Sequence, residues 1–254
     1  MRIRLTVAYD GTNYHGWQKQ DHAVSVQGIL TEALQQLLGE EIELAGASRT
    51  DAGVHALGNA AVFDTQTSIP PEKIAVAVNQ RLPEDIRVMR SEQVSDTFHP
   101  RDGVKHKTYE YAITNAQTQL PTKRLYAHFV YVPLNVEQMR AAAQLFIGEH
   151  DFGGFCSAGS QVKSTVRCIY DIKILKNGED IKIQITGNGF LYNMVRIIAG
   201  TLIEVGMGRR EIETVKQAID RKDRKLAGPT APARGLVLLK IVYKSEGEET
   251  GQIQ

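Results

Sequence analysis

The segment from Gly46 to Ala56 brings together an arginine, a carboxylate and a histidine, namely Arg49, Asp51 and His55. A carboxylate can act as a nucleophile or as an acid–base group, and a nearby cation favours its ionised form. The segment is also small and polar, which is typical of a tight turn in which the aspartate hydrogen-bonds its own backbone. Taken alone, it leaves both interpretations open.

A second segment, residues 188–196, places Arg196 early in an otherwise apolar helix. The apolar neighbours Leu191, Met194 and Ile198 indicate that much of this helix is buried, and a buried arginine normally needs an anionic partner. Asp51 is a reasonable partner. The sequence by itself does not favour it over other acidic residues.

Several common catalytic motifs are missing from the chain. The Gly-Asn-Gly at 187–189 lacks the third glycine of a dinucleotide-binding loop, and there is no Walker sequence. The histidines show no HxxxH spacing, so no metal site is expected. Cys156 and Cys168 are too few for a disulfide scaffold, and Cys156 is expected to be a structural thiol rather than a nucleophile. A reducing, cytoplasmic location is the simplest expectation.

The composition is that of a globular protein. The chain has 254 residues, of which 42% are hydrophobic and 23% charged, enough for one large domain or two of ordinary size. No apolar run approaches the roughly 18 residues of a membrane span, and the N-terminus lacks the apolar core of a signal peptide.

The overall charge of +1 argues at first against a nucleic-acid partner. However, residues 1–100 carry 8 Lys and Arg against 13 Asp and Glu, whereas the remaining residues carry 22 against 16. Phosphate binding depends on a local basic surface, which a balanced total does not exclude. The charge distribution therefore leaves the question open.

The hydrophobic periodicity predicts elements that alternate between strand and helix in both halves of the chain. Strands are expected over 2–10, 41–44, 60–63, 86–94, 107–114, 126–132, 168–175, 181–186 and 235–243. Helices are expected between Ser25 and Gly39, after Pro70 and Pro71, between Asn135 and Gly148, and over about 191–205 and 211–221. Asn177 and Gly178 predict a hairpin. The pattern indicates an α+β protein with lobes at 1–105 and 106–245 and a polar tail at 246–254.

Seven motifs, taken together, resemble one family, tRNA pseudouridine synthase A. Residues 9–18 (YDGTNYHGWQ) are similar to the family's opening YDGTxYxGWQ, and residues 48–56 (SRTDAGVHA) to its catalytic signature. Five further stretches follow in family order: FHPR at 98–101, KTYEY at 107–111, GEHDF at 148–152, NGFLYNMVR at 188–196 and APARGL at 231–236. The series covers nearly the whole chain.

The resemblance implies the pseudouridine synthase fold, a mixed and mainly antiparallel sheet flanked by helices in two similar lobes. It implies isomerisation of uridine to pseudouridine in the anticodon stem-loop of tRNA, at positions 38 to 40. It also implies a homodimer, with one tRNA contacting both subunits. The reaction has no net redox change, so neither a cofactor nor a metal is expected.

The resemblance also implies roles for individual residues. Asp51 is the essential catalytic residue, which either adds to the uracil ring or acts at the sugar after elimination, and the sequence leaves both routes open. Arg196 pairs with Asp51, and Tyr109 stacks on the uracil and assists proton transfer. Leu236 packs on the target base, and Arg49 helps to hold the nucleotide flipped out of the RNA, as the chemistry requires.

Binding of the tRNA is expected to rest on phosphate contacts. The candidates are Arg101 of the FHPR stretch and Lys107 of KTYEY, together with Lys105, His106, Lys123, Arg124 and the basic residues of 209–225. Two other functions fit the same sequence. One is a non-catalytic RNA-binding protein, and the other is a hydrolase that uses Asp10 and Asp51 as paired carboxylates.

Overall fold

The structure is a computed structural model that describes residues 1–159 and 162–244. Its strands are β1 (Arg2–Tyr9), β2 (Ala45–Gly46), β3 (His55–Asp64), β4 (Ile86–Val94), β5 (Val104–Asn115), β6 (His128–Val130), β7 (Gly148–Asp151), β8 (Val166–Asn177), β9 (Asp180–Gly187) and β10 (Leu236–Tyr243). Its α-helices are α1 (Val26–Leu38), α2 (Ile74–Asn79), α3 (Val136–Gln144), α4 (Met194–Gly206) and α5 (Ile212–Asp220). The expected polar tail at 246–254 lies outside the described residues.

One mixed, mainly antiparallel sheet runs through the protein in the order β4-β1-β3-β10-β5-β9-β8-β7, with β2 paired to β3 and β6 to β5. Each half contributes a three-stranded antiparallel unit whose first strand is central, β4-β1-β3 in one and β10-β5-β9 in the other. The units meet where β10 lies parallel to β3. The expected α+β class and the two similar lobes are confirmed.

Strand β1 and helix α1 illustrate how local sequence produces these elements. Alternate β1 residues, such as Leu5 and Val7, are fully buried, while the residues between them are half-buried. Helix α1 begins where Ser25 Oγ accepts the Gly28 N–H, a cap worth about 1 kcal/mol. It ends at Gly39, whose φ of 68° is left-handed backbone that glycine adopts without strain. Both boundaries agree with the sequence prediction.

Three predicted strands differ from the structure, and the one expected over 60–63 begins earlier, at His55, as β3. Residues 41–44 are not a strand, although Ile42 and Leu44 are buried and produce the alternating pattern. The Leu44 carbonyl accepts a hydrogen bond from Gln27 Nε2 at 2.6 Å, so a helix side chain replaces a strand partner. The strand expected over 126–132 is limited to the three residues of β6.

The hairpin predicted at Asn177 and Gly178 is confirmed, because β8 and β9 pair up to Asn177 and Asp180. The expected lobe boundary between residues 105 and 106 falls inside β5, which pairs with strands on both sides. The division of the chain at this position stays a prediction.

Helix α4 is the most buried helix and carries Arg196 in its first turn. Its Gly200 lies against the chain at Pro229, where a Cβ would come within 1.9 Å of the carbonyl oxygen. Thr201 Oγ1 accepts the Gly228 N–H at 2.8 Å. These contacts hold Gly228 and Pro229, in the segment that precedes β10, directly against the helix.

Within residues 1–159 and 162–244, no helix is long and apolar enough to cross a membrane. The same residues contain no group of three or more His, Cys, Asp and Glu side chains placed to hold a metal ion.

Candidate active site

A cleft of about 700 Å³ brings the residues predicted from the sequence together. Six of them line it: Arg49, Asp51, Arg101, Lys107, Tyr109 and Leu236. The seventh, Arg196, contacts the carboxylate of Asp51. These side chains come from the loop before β3, from the turn before β5, from the first half of β5, from helix α4 and from the start of β10. The site is therefore assembled from both halves of the chain.

The loop that carries Asp51 is held in place by the N-terminal motif at 9–18. The backbone N–H of Trp17 donates to the Thr50 carbonyl at 3.1 Å, and the Tyr9 hydroxyl hydrogen-bonds Thr50 Oγ1 at 2.7 Å. Gly16 has a φ of +90°, and a Cβ at this position would lie 2.5 Å from the Thr50 carbonyl oxygen. Only glycine permits so close an approach. The motif thus fixes the backbone next to the aspartate.

Arg196 joins helix α4 to the Asp51 loop. Its Nη1 atom lies 3.3 Å from Asp51 Oδ2 and donates to Asn193 Oδ1 at 2.7 Å, while its Nε donates to the Ala231 carbonyl at 2.8 Å. The guanidinium is 17% exposed and the carboxylate 24%, so water screens the pair only partly. The planar guanidinium is held from three directions, which fixes the position of its charge beside Asp51.

Two opposing effects set the protonation of Asp51. Burial raises the pKa of its carboxyl above the ordinary 3.8, and this effect is the larger. The charge and hydrogen bond of Arg196 lower the pKa and favour the carboxylate. The result is a partly desolvated carboxylate, a stronger base and nucleophile than an aspartate in water.

Tyr109 lies on β5 with its ring against the cleft. The residue is 8% exposed, and burial raises the pKa of its hydroxyl to about 12, against a smaller and opposite effect of the Ser48 hydroxyl. The Phe190 ring packs edge-on against it, with centroids 5.2 Å apart. Tyr111, two residues further along the strand, instead donates a hydrogen bond from its hydroxyl to the Pro232 carbonyl at 2.9 Å. The two tyrosines therefore differ in environment.

Leu236 is the first residue of β10 and pairs with Tyr111 of β5. It is 5% exposed and lies in the wall of the cleft. The segment that precedes it is anchored to helix α4, because the Ala231 N–H donates to the Arg196 carbonyl at 3.1 Å. The position of Leu236 is thus tied to that of Arg196 through a short stretch of backbone.

Three basic side chains lie at the cleft. Arg49 and Arg101 are exposed, and Arg101 Nε donates to the Gly46 carbonyl at 3.2 Å. Lys107 points into the wall, where its Nζ donates to Ser48 Oγ at 2.8 Å. Burial and the charge of Arg101 lower the pKa of the Lys107 ammonium to about 8. The two arginines are exposed at the cleft, and the lysine is the more enclosed cation.

Other basic residues expected to bind phosphate form ion pairs with acidic neighbours. These pairs are Lys123 with Asp180, Lys216 with Asp220, Lys222 with Asp151 and Arg210 with Glu204, at nitrogen–oxygen distances of 2.6, 2.6, 2.8 and 2.8 Å. None of these residues lines the cleft. The structure therefore gives them no place at this site.

A second cavity, of about 620 Å³, contains Asp10, His55 and Tyr126. Glu110 of β5 lines this second cavity, whereas its neighbour Tyr109 lines the cleft. Successive residues of a strand point to opposite faces of a sheet, so the two cavities lie on opposite faces. Asp10 Oδ2 accepts a hydrogen bond from the Tyr126 hydroxyl at 2.7 Å. Asp10 and Asp51 are thus separated by the sheet, which does not fit a hydrolase that uses them as a pair.

His55 was one of the charged or polar residues grouped around Asp51 in the sequence, but it has a structural position. Its Nδ1 accepts the Gly11 N–H at 3.0 Å, and its Nε2 lies 3.1 Å from the Leu125 carbonyl and 3.2 Å from that of Arg234. The imidazole joins three chain segments and is buried. It does not reach the cleft.

Several residues of the cleft were not predicted as site residues from the sequence, among them Ser48 and Phe190. Both lie inside motifs that were recognised, SRTDAGVHA and NGFLYNMVR. Within these motifs, chemical roles were assigned to charged residues such as Asp51 and Arg196. The Ser48 hydroxyl could have been predicted as a hydrogen-bond partner, and the Phe190 ring as a stacking surface.

The comparisons with known proteins agree with this site. The family model described as tRNA pseudouridine synthase matches residues 5–101 and 142–244, one match in each half. The tRNA pseudouridine synthase A of Thermoanaerobacter sp. (strain X514) is 51% identical over 241 residues, which cover 95% of this chain and 99% of the relative. The tRNA pseudouridine synthase A of Ruminiclostridium cellulolyticum is 49% identical over 243 residues, which cover 95% and 99%.

Among solved structures, the archaeal box H/ACA Nop10–Cbf5 complex aligns with a TM-score of 0.34 and 12% identity, covering 89% of this chain and 59% of that chain. This similarity is too low to assign the fold. The family assignment follows from the sequence matches, since the family model matches both halves of the chain and the relatives match 95% of it. On that evidence, the chain belongs to the tRNA pseudouridine synthase A family.

Proposed function

We propose that this protein is an isomerase that converts uridine to pseudouridine in the anticodon stem-loop of tRNA, at positions 38 to 40. The observation that carries the proposal is the pair of Asp51 and Arg196 at a cleft that Tyr109 and Leu236 also line. The arrangement supplies a desolvated carboxylate, a fixed cation, an aromatic ring and an apolar wall. These are the groups needed to hold a uracil and break its glycosidic bond.

Asp51 is the catalytic residue in this proposal. Its carboxylate either adds to the uracil ring or acts at the sugar after elimination, and both routes need the ionised form. Arg196 offsets part of the effect of burial on the carboxyl and holds it in place. The same pair therefore serves both routes.

The base is held by Tyr109 and Leu236. The buried Tyr109 ring offers a flat surface to the uracil, and its hydroxyl assists proton transfer at the base. Leu236 packs on the opposite side as an apolar wall. A cleft of about 700 Å³ accommodates a nucleotide but not a base-paired stem, so the target uridine is flipped out of the RNA.

The RNA backbone is bound by Arg49, Arg101 and Lys107. Arg49 is exposed and lies two residues from Asp51, so it can hold the flipped nucleotide by its phosphate. Arg101 and Lys107 add positive charge at the same cleft. Contacts of the two arginines with phosphate, together with the charge of Lys107 in the wall, confer affinity without reading sequence, as expected for recognition of a folded RNA by shape.

We also propose that the protein is a homodimer in which one tRNA contacts both subunits, that it acts in the cytoplasm, and that it needs no cofactor. The division into an N-terminal lobe (1–105) with the aspartate loop and a C-terminal lobe (106–245) is part of the same proposal. Sedimentation equilibrium tests the assembly, since a dimer has twice the 28.2 kDa mass of the chain. A monomer at the concentrations that support activity would contradict the dimer.

The experiment that tests the function is release of tritium from tRNA labelled at uracil C5. Attachment of the ribose to C5 must expel the hydrogen there, so an isomerase releases tritium without releasing uracil. A hydrolase would release free uracil, and a binding protein would release neither. Tritium release from the anticodon arm supports the proposal, and its absence at every anticodon-arm uridine would refute it.

A further inference from the structure

We propose that Lys107 acts through Ser48 and Tyr109 as the final acceptor of the proton that leaves uracil C5. The three side chains form a relay that leads from the cleft into its wall. This inference rests on the proposed function, because only attachment of the ribose to C5 requires that proton to leave.

The relay is built around one buried hydroxyl. Ser48 is 5% exposed, and its Oγ accepts a hydrogen bond from Lys107 Nζ at 2.8 Å. Tyr109 lies two residues from Lys107 on β5, so both side chains project from the same face of the sheet, and the effect of Ser48 on the pKa of its hydroxyl places it near the same serine. A serine hydroxyl can accept one proton and donate another, so it can join the phenol to the amine. All three residues line the cleft that holds Asp51.

The surroundings of Lys107 favour the loss of its proton. Its other hydrogen bond goes to the uncharged Ala47 carbonyl at 3.0 Å, and the charged group that acts on it is the cation of Arg101. Its strand neighbours, Gly187 on β9 and Ile241 on β10, do not titrate. Burial together with Arg101 lowers the pKa of the ammonium to about 8, so a fraction of the amine is neutral at physiological pH.

Tyr109 requires such a partner. The pKa of its hydroxyl is about 12, raised by burial and by the charge of Asp51, so the phenolate is scarce at neutral pH. A phenol can accept a proton from carbon only if it loses its own proton at the same time. The Ser48 hydroxyl, which hydrogen-bonds Lys107 Nζ and lines the same cleft as Tyr109, provides that path.

The proposed step balances in protons and electrons. Once the ribose is joined to C5, that carbon carries both the ribose and its hydrogen. The C5–H bond breaks, its electron pair forms the C5–C6 double bond, and the proton passes to Tyr109 Oη. Tyr109 gives its own proton to Ser48 Oγ, which gives its proton to the neutral Lys107 amine. In the elimination route, the electrons of the C6–N1 double bond move to N1, which takes a proton from water. In the addition route, the bond between C6 and Asp51 breaks instead and its electron pair returns to the carboxylate. In both routes the Lys107 ammonium later returns its proton to solvent.

The test compares single-turnover tritium release, at saturating enzyme, for the wild type, Lys107→Arg, Lys107→Met and Ser48→Ala. In the wild type, the rate rises with pH around the Lys107 pKa of about 8. Arginine keeps the charge but does not deprotonate, so Lys107→Arg should lose this rise and be slower by about tenfold to a hundredfold above that pH. Its dissociation constant for tRNA should change by no more than about threefold. Lys107→Met and Ser48→Ala should show the same flat profile.

Lys240→Met is the matched control, because Lys240 is an exposed lysine on the neighbouring strand β10 and should keep the rise with pH. If Lys107→Arg keeps the wild-type rate and profile, the relay is wrong. If Lys107→Met weakens tRNA binding but reacts normally at saturation, the lysine serves only to bind phosphate and the relay is equally wrong. If the wild type itself releases no tritium, the proposed function fails, and the relay fails with it. Circular dichroism melting curves confirm that each variant is folded.

Discussion

Arg196 Nη1 lies 3.3 Å from Asp51 Oδ2, although 145 positions separate the two residues in the chain. The contact joins a loop of the first half to a helix of the second. Burial raises the pKa of Asp51 and the arginine lowers it, so the state of the carboxyl depends on both halves. Several predictions concern this pair and the cleft around it.

Asp51→Asn should abolish tritium release while tRNA affinity changes by no more than about threefold. The amide has the size of the carboxyl group but can neither attack carbon nor accept a proton. Turnover is measured by tritium release, and affinity by filter binding. The control is Asp64→Asn, which removes a carboxylate that pairs with Arg2 away from the cleft. Near-normal turnover of Asp51→Asn would rule out the assigned role.

The same variant should be more stable than the wild type at neutral pH. The folded-state pKa of Asp51 is raised above 3.8, so the folded protein binds the proton more tightly than the unfolded chain. Stability is therefore lost as the pH rises from 3.8 through the folded pKa, and at neutral pH the ionised carboxyl is unfavourable. Asp51→Asn removes this effect, so its melting temperature should exceed that of the wild type at neutral pH and converge with it below pH 3.8.

Asp64→Asn should change stability in the opposite direction. The hydrogen bond from Arg2 lowers the pKa of Asp64, so its carboxylate stabilises the folded state above the unfolded pKa and this effect is lost as the pH falls. Melting temperatures of both variants across the acid range check the two signs together. A lower melting temperature of Asp51→Asn at neutral pH would contradict the desolvation argument.

Arg196→Gln should shift the acid limb of kcat/KM to higher pH. The arginine lowers the pKa of Asp51 through its charge and hydrogen bond, so its loss raises that pKa. A reaction that needs the carboxylate then fails at a higher pH. The measurement is kcat/KM against pH from the acid side.

A matched control for this shift is Arg210→Gln. Arg210 pairs with Glu204 at 2.8 Å with side-chain exposures of 18% and 24%, nearly those of Arg196 and Asp51, but it lies outside the cleft. It should leave the acid limb in place. An equal shift in both variants would mean that the pH dependence reports general stability rather than Asp51.

Arg49→Gln and Arg101→Gln should each weaken tRNA binding and make it less dependent on salt. A residue that neutralises one phosphate contributes about one unit to the slope of log K against log salt concentration. Binding titrations at several salt concentrations measure the slope. Arg90→Gln is the control, because Arg90 is 69% exposed on β4 and lies outside the cleft. Unchanged slopes in both cleft variants would exclude the proposed phosphate contacts.

Local signals in the sequence predicted elements such as α1 and the β8–β9 hairpin. Ser25, Gly39 and the Asn177–Gly178 turn act on their immediate neighbours, so their effects can be read from a few residues. Residues 41–44 show the limit of this approach. Their alternating pattern predicts correctly which side chains are buried. It does not reveal whether a neighbouring strand is present to pair with them.

The family resemblance predicted which residues form the site, but not how they are held together. Nothing in the sequence selects Asp51 as the partner of Arg196 among all the acidic residues. The support of the Asp51 loop by the motif at 9–18 involves backbone atoms, as in the bond from the Trp17 N–H to the Thr50 carbonyl. Backbone contacts leave little trace in side-chain patterns, so the motif could be recognised before its physical purpose was known.

The parallel pairing of β10 with β3 has a consequence for a chain that is still being synthesised. The two strands meet at only two residue pairs, Val237 with His55 and Leu238 with Ala56, directly beside the Asp51 loop and Leu236. On the ribosome, Asp51 emerges early, whereas Leu236 emerges 185 residues later. A nascent chain therefore carries the aspartate without an assembled site for most of its synthesis. Modification of RNA must wait until the last strand has docked.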